Sequence, residues 1–130
     1  MKRILAIALL AACTASAATP TRPPIVRAAR ASFYGEEYRG RPMAWKGLPF
    51  DPGALTCASW FYPFGTVLEV RSGGRTVHVA VTDRGPAWEL VRQGIVLDLS
   101  ERAFALLSPD RTHPLRPGPI PVSLRVISRP

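Results

Sequence analysis

Residues 66–86 read TVLEVRSGGRTVHVAVTDRGP, and this stretch decides the fold class. From Thr66 to Arg71 the side chains alternate, with Leu68 and Val70 on one face and Val67 and Glu69 on the other, as a strand half-sunk in a core requires. Ser72-Gly73-Gly74 then supplies the conformational freedom of a tight turn. Arg75 to Thr82 resumes the alternation: Val77, Val79 and Val81 share one face, and His78, Ala80 and Thr82 the other. The reading is a β-hairpin with a buried face. Asp83 continues the valine parity and falls where the strand gives out at Arg84-Gly85-Pro86.

Outward from the hairpin, 14 prolines and 10 glycines punctuate the 130 residues and leave little room for long helices. Ala31 to Gly35 and Ile95 to Leu99 read as strands, and Val122 to Ile127 as a closing strand after an extended segment, Leu115 to Pro121. Ser100 is placed to cap a helix over Glu101 to Leu107, which Pro109 ends. Five or six short strands with one main helix point to a small barrel or sandwich.

The chain starts Met-Lys2-Arg3 and runs apolar from Ile4 to Ala12, the pattern of a signal peptide over residues 1–18. That run is too short to span a bilayer. Leu10-Ala11-Ala12-Cys13 fits a bacterial lipobox and Ala15-Ser16-Ala17 an ordinary cleavage site. Lipidation of Cys13 is the preferred reading, because one of only two cysteines stands where a thiol is acylated. Residues 19–28 then read as a proline-rich tether and 29–130 as one domain. The formal charge is +8, and loss of Lys2 and Arg3 with the leader leaves 15 basic residues against 9 acidic ones. Such a charge draws a protein to anionic polymers and headgroups. Nucleic acid is not the expected partner, because the basic residues are scattered and no aromatic platform is interleaved with them.

Five segments follow one another across residues 31–107: Ala31-Ser32-Phe33-Tyr34-Gly35; Phe50-Asp51 with Ala54-Leu55-Thr56; Pro63-Phe64-Gly65-Thr66; Val81-Thr82-Asp83-Arg84-Gly85-Pro86; and Asp98-Leu99-Ser100. Together they resemble the RlpA-like (rare lipoprotein A) family, related to barwins and expansins. The resemblance implies a mainly β fold, a six-stranded double-psi β-barrel with one or two short helices. It further implies lytic transglycosylation of peptidoglycan glycan strands held in a groove across the barrel. In that reaction one residue protonates the glycosidic oxygen and then takes the 6-hydroxyl proton, giving a 1,6-anhydromuramoyl end.

Asp83 is the candidate for that residue. A carboxyl at the rim of an apolar core is desolvated, which raises its pKa and keeps it protonated as a general acid requires. Arg84 is read as a substrate-binding residue and acts the opposite way on Asp83 if its guanidinium turns inward, and a turn-capping role for Asp83 stays open. A two-carboxylate mechanism needs a second acid, for which Asp98 and Asp51 are candidates; Asp98 belongs either to the groove or to the helix start. Tyr34 is the aromatic with the best claim to a sugar, among Trp45, Trp60, Tyr62 and Trp88. The chain departs from the family pattern where relatives carry a histidine, here Ser59, and where they carry an acid shortly before Phe50, here Leu48-Pro49. Ser59 is therefore read as a sugar-binding hydroxyl that cannot titrate near neutral pH.

His78 and His113 read as surface residues and Cys57 as a small buried hydrophobe. No metal-ligand spacing is present, and no cofactor is expected. The leading function is peptidoglycan cleavage. The alternative is a non-catalytic, expansin-like wall-binding or wall-loosening module, and a structural or inhibitory envelope protein is a third class. The expected partners are glycan strands and, through a lipid on Cys13, a membrane, with the protein a monomer. The expected location is the cell envelope, as an outer-membrane lipoprotein facing the periplasm or a secreted periplasmic protein.

Overall fold

A computed structural model describes residues 26–130. The leader, Cys13 and most of the tether lie outside the described residues. Six strands, β1 (Val26–Tyr34), β2 (Thr56–Ala58), β3 (Val67–Ser72), β4 (Arg75–Asp83), β5 (Ile95–Ser100) and β6 (Ile120–Ser128), close into a barrel in the order β1-β5-β2-β4-β3-β6. β1 runs parallel to β5 and β2 to β4, and the other neighbours are antiparallel. Two short helices are added, α1 (Trp88–Val91) and α2 (Glu101–Leu107). β1 starts at Val26, three residues ahead of the expected boundary at 29. Closure decides between the two architectures left open above, and it leaves no unpaired sheet edge.

The hairpin expected at residues 66–86 is β3–β4, in which Leu68 faces Val79 and Val70 faces Val77. Gly73 and Gly74 turn the chain with φ of 52° and 78°, values a side chain resists. Leu68, Val70, Val77, Val79 and Val81 point into the barrel with Leu97, Leu99 and Leu124. Phe104 and Leu107 of α2 join this core, and the Phe104 ring lies 4.8 Å from that of Phe33. Cys57 is fully buried, and burial pushes its thiol pKa up, so it packs as a hydrophobe. Glu69 breaks the simple alternation of β3. It is buried on the outer face beneath Arg125 and Arg71, each 2.7 Å away, and their hydrogen bonds pull its carboxyl down to about 2.

Ser100 caps α2, as its place in the sequence implies: its Oγ accepts from the Ala103 N–H and donates to the Ala54 carbonyl at 2.6 Å. This residue is sealed from solvent and ties the segment before β2 to the start of the helix. Ser100→Ala removes a cap and strands the half-buried Ala54 carbonyl, and the expected loss is about 2 kcal/mol, read as a lower urea midpoint with an unchanged slope.

Two features of the fold are absent from the sequence reading. β2 is only three residues long, too short to show a period, yet it lies between β5 and β4. On β4 the register shifts: Cys57 pairs with Val81, but Ala58 pairs with Asp83, so Thr82 is an extra residue. That bulge turns Asp83 away from the inward parity of the valines and onto the rim. Thr82 is buried beneath it, with its Oγ1 3.1 Å from Met43 Sδ.

Candidate active site

Ala58 is the pivot of the site. It pairs with Asp83 on β4 and with Asp98 on β5, so the two carboxylates flank one methyl group across three adjacent strands. Strands lie about 4.8 Å apart, which puts the two aspartate backbones roughly 10 Å from each other. Both line a cleft of about 310 Å³. Gly85 forms part of its floor with φ of 157°; a Cβ there would sit 3.3 Å from the Ala58 Cβ and 3.5 Å from Asp98 Oδ2. Gly85→Ala should therefore strain the backbone and crowd Asp98, costing about 1–3 kcal/mol. A melting temperature unchanged by that substitution would show the approach to be looser than these distances.

The two carboxyls are held differently. Asp83 Oδ1 accepts the backbone N–H groups of Ala44 (3.0 Å) and Arg84 (2.9 Å), and among the described residues no donor reaches Oδ2. The turn-capping bond and the place in the cleft therefore coexist, with one carboxyl oxygen fixing the side chain. Asp98 accepts a hydrogen bond from Ser32, its register partner on β1. Burial pushes the Asp98 pKa above its ordinary value of 3.8, and the Ser32 bond offsets part of the rise. Asp98 thus lies in the groove, and capping of α2 falls to Ser100.

A raised carboxyl gives a signed prediction. The native state holds the Asp98 proton more tightly than the unfolded chain does, so its contribution to stability declines as the pH climbs from 3.8 through the folded value. Asp98→Asn keeps an acceptor for Ser32 and removes the buried charge. It should melt higher than the wild type at pH 7 and converge with it toward pH 4. Parallel pH profiles for the two proteins would contradict a desolvated charge at this position.

An aromatic wall faces the aspartates. The Tyr34 ring stacks on Phe50 with centroids 4.2 Å apart and meets Tyr38 edge-on at 5.8 Å, while the Arg41 guanidinium lies 5.0 Å over the Tyr38 ring. Burial, reinforced by the nearby charge of Asp83, pushes the Tyr34 phenol up, so it stays neutral. Tyr34, Asp83, Arg84 and Asp98 thus share the cleft. Tyr38, Arg41 and Ala58 also line it but were not singled out in the sequence, where no periodicity or motif marks them.

Two expected residues, Ser59 and Asp51, do not line the cleft, and Arg84 lines it with its guanidinium bound elsewhere. Ser59, read as a sugar-binding hydroxyl, has no exposed surface: its Oγ accepts the Phe61 N–H at 3.1 Å and its own N–H goes to the Asp83 carbonyl. The Arg84 guanidinium turns away from both carboxylates, donating to the carbonyls of Ser59 (2.7 Å) and Tyr62 (2.8 Å) and lying 3.7 Å over the Phe64 ring. Asp51 is exposed, bonds the Gly53 N–H and pairs with Arg39 at 3.4 Å, away from the cleft.

The model of the lytic transglycolase family matches residues 26–124. The probable endolytic peptidoglycan transglycosylase RlpA of Nostoc is 39% identical over 103 residues, which is 76% of this chain and 25% of that protein. The protein of the same name from Aquifex aeolicus is 40% identical over 99 residues, 75% of this chain and 39% of its own. This chain therefore spans well under half the length of these curated relatives. An uncharacterised Synechocystis protein is 33% identical over 96 residues, 72% of this chain and 91% of that protein. Among solved structures, the Streptomyces papain inhibitor superposes with a TM-score of 0.60 at 22% identity, covering 83% of this chain and 98% of the inhibitor, a likeness of fold alone. The chain belongs to the RlpA-like lytic transglycolase family of double-psi β-barrels.

Proposed function

We propose that this protein cleaves peptidoglycan glycan strands by lytic transglycosylation, with Asp83 as the proton-transfer residue. The observation that carries the reading is the pair Asp83 and Asp98 on either side of Ala58, in one cleft walled by Tyr34 and Tyr38. The names of the Nostoc and Aquifex relatives point to the same substrate. Protonated Asp83 donates to the glycosidic oxygen as the C1–O4 bond breaks. The 6-hydroxyl of the same muramoyl unit then bonds to C1 and returns its proton to Asp83. Electrons and protons balance without water, and the product is a 1,6-anhydro end. Asp98, across the methyl of Ala58, is placed to stabilise the positive charge that develops at C1. The raised pKa of Asp98 favours a second assignment, with Asp98 as the acid and Asp83 as the stabilising carboxylate.

A different reading, wall binding without cleavage, draws on Ser59: the position where the family resemblance implies a histidine is sealed and bonded to its own loop. The functional setting is the cell envelope, reached by export with Cys13 lipidated and the protein a monomer. A Cys13→Ala variant should lose membrane association, and wild-type protein that is soluble and begins at Ala18 would refute the lipid anchor. Among the described residues no helix is long and apolar enough to cross a membrane. The test of function is product analysis. Purified protein incubated with isolated peptidoglycan should release soluble anhydro-ended fragments, identified by mass, whereas pelleting with the wall and no release would establish the binding module.

A further inference from the structure

Trp60 and Trp88 stand outside the cleft, in segments the proposed chemistry does not use. Their rings stack with centroids 5.2 Å apart and planes inclined by 18°. Each is nonetheless substantially exposed, 41% and 50%, so each indole spends one face on its neighbour and keeps surface open to solvent. A contiguous exposed aromatic patch marks a ligand-contact surface more often than singly scattered apolar residues do.

The pair is held rigidly, and by groups of the site itself. Trp60 Nε1–H donates to the Pro86 carbonyl at 2.6 Å. Pro86 and Ala87 line the cleft beside Asp83 and Asp98, and Trp88 follows Ala87 directly as the first residue of α1. The loop that carries Trp60 is clamped from beneath: Ser59 Oγ accepts the Phe61 N–H, and the Arg84 guanidinium takes the carbonyls of Ser59 and Tyr62. Arg84, expected to touch the sugar, instead fixes the backbone on both sides of Trp60, and Ser59 serves the same loop.

We propose that Trp60 and Trp88 form a sugar-stacking subsite that continues the carboxylate cleft past Pro86 and Ala87 and holds an N-acetylhexosamine ring away from the bond that is cut. The inference rests on the reading that the cleft takes a glycan strand. The ligand class follows from the chemistry of the surface. The two stacked indoles are apolar and flat, and the Trp60 N–H is spent on Pro86. Such a surface takes the apolar C–H face of a pyranose, and the sugar's hydroxyls stay in water. A rigid pair lowers the ordering cost of binding.

The experiment is titration of the full chain with chitotetraose, a soluble β-1,4-linked N-acetylglucosamine oligomer, followed by tryptophan fluorescence and by calorimetry. Wild type should show a saturable fluorescence change. Trp88→Ala should weaken binding about 5- to 10-fold, and Trp88→Tyr, which restores a ring, should recover most of it. Trp60→Phe keeps a ring but drops the bond to Pro86; its expected loss is smaller than that of Trp88→Ala. A thermal melt of each variant confirms that it is folded. Unchanged affinity in a folded Trp88→Ala protein overturns the subsite, as does a response to free stem peptide with none to the oligomer. Cleavage is read separately. Sugar binding that depends on Trp88 in a protein releasing no anhydro-ended product supports the subsite and refutes the enzyme; release by wild type with affinity indifferent to Trp88 does the reverse.

Discussion

Val79→Asp is expected to leave the protein unfolded at room temperature. Val79 lies inside the barrel on β4, 1% exposed, facing Leu68 across the hairpin, and among the described residues no basic side chain is buried in that interior. A carboxylate there is either charged without a partner or protonated at the expense of a raised pKa, and both cost several kcal/mol. Small domains have about 5–15 kcal/mol of stability to lose. One residue earlier, His78 points outward, 3.6 Å from Glu69 in the cluster with Arg71 and Arg125. His78→Asp should cost under about 1 kcal/mol, because the His78 side chain is more than half exposed and the half-exposed Arg71 beside Glu69 offsets the added charge. Circular dichroism melts of the two variants measure the contrast. Similar losses at 78 and 79 would mean that the strand does not alternate as described.

That contrast also marks how far the sequence could be read. The hairpin was legible because its two strands are long, their alternation is regular and the Gly73-Gly74 turn is unambiguous. The helix at Glu101–Leu107 was legible for a similar local reason, the capping serine before it and the proline after. Closure of the barrel was not, since periodicity describes one strand at a time and says nothing of its neighbours. β2 was missed because three residues cannot show a period, although it is the strand that brings the two aspartates together.

The site was legible in its residue types and less so in its directions. Asp83 was found by extending the valine parity, an extrapolation that fails at Thr82, where the bulge adds a residue and re-aims the strand end. Asp83 reaches the cleft because of the bulge. Asp98, Tyr34 and Arg84 were named from the family resemblance, and all three line the cleft. Their roles depend on contacts that no spacing encodes: the Arg84 guanidinium is drawn to two carbonyls of the 59–62 loop and to the Phe64 ring, and Ser59 is drawn inward by the Phe61 N–H. Tyr38 enters through a 3-10 turn, Glu36–Tyr38, whose sequence reads as exposed loop.

Asp83→Asn is the substitution expected to affect activity most, and its comparison with Asp98→Asn decides which carboxyl moves the proton. Asparagine keeps the size of the side chain, and its amide oxygen can still accept the N–H groups of Ala44 and Arg84, so the fold and the cleft should persist. The transferable proton is gone. If Asp83 protonates the leaving oxygen, release of anhydro-ended fragments should fall about 10²-fold or more, while sedimentation with the wall is retained. Asp98→Asn removes charge stabilisation and leaves the acid in place, so a smaller loss is expected. The reverse order, with Asp98→Asn the more damaging, would move the acid to the carboxyl that burial already holds up. Equal, non-zero release from wild type and Asp83→Asn would remove Asp83 from the chemistry.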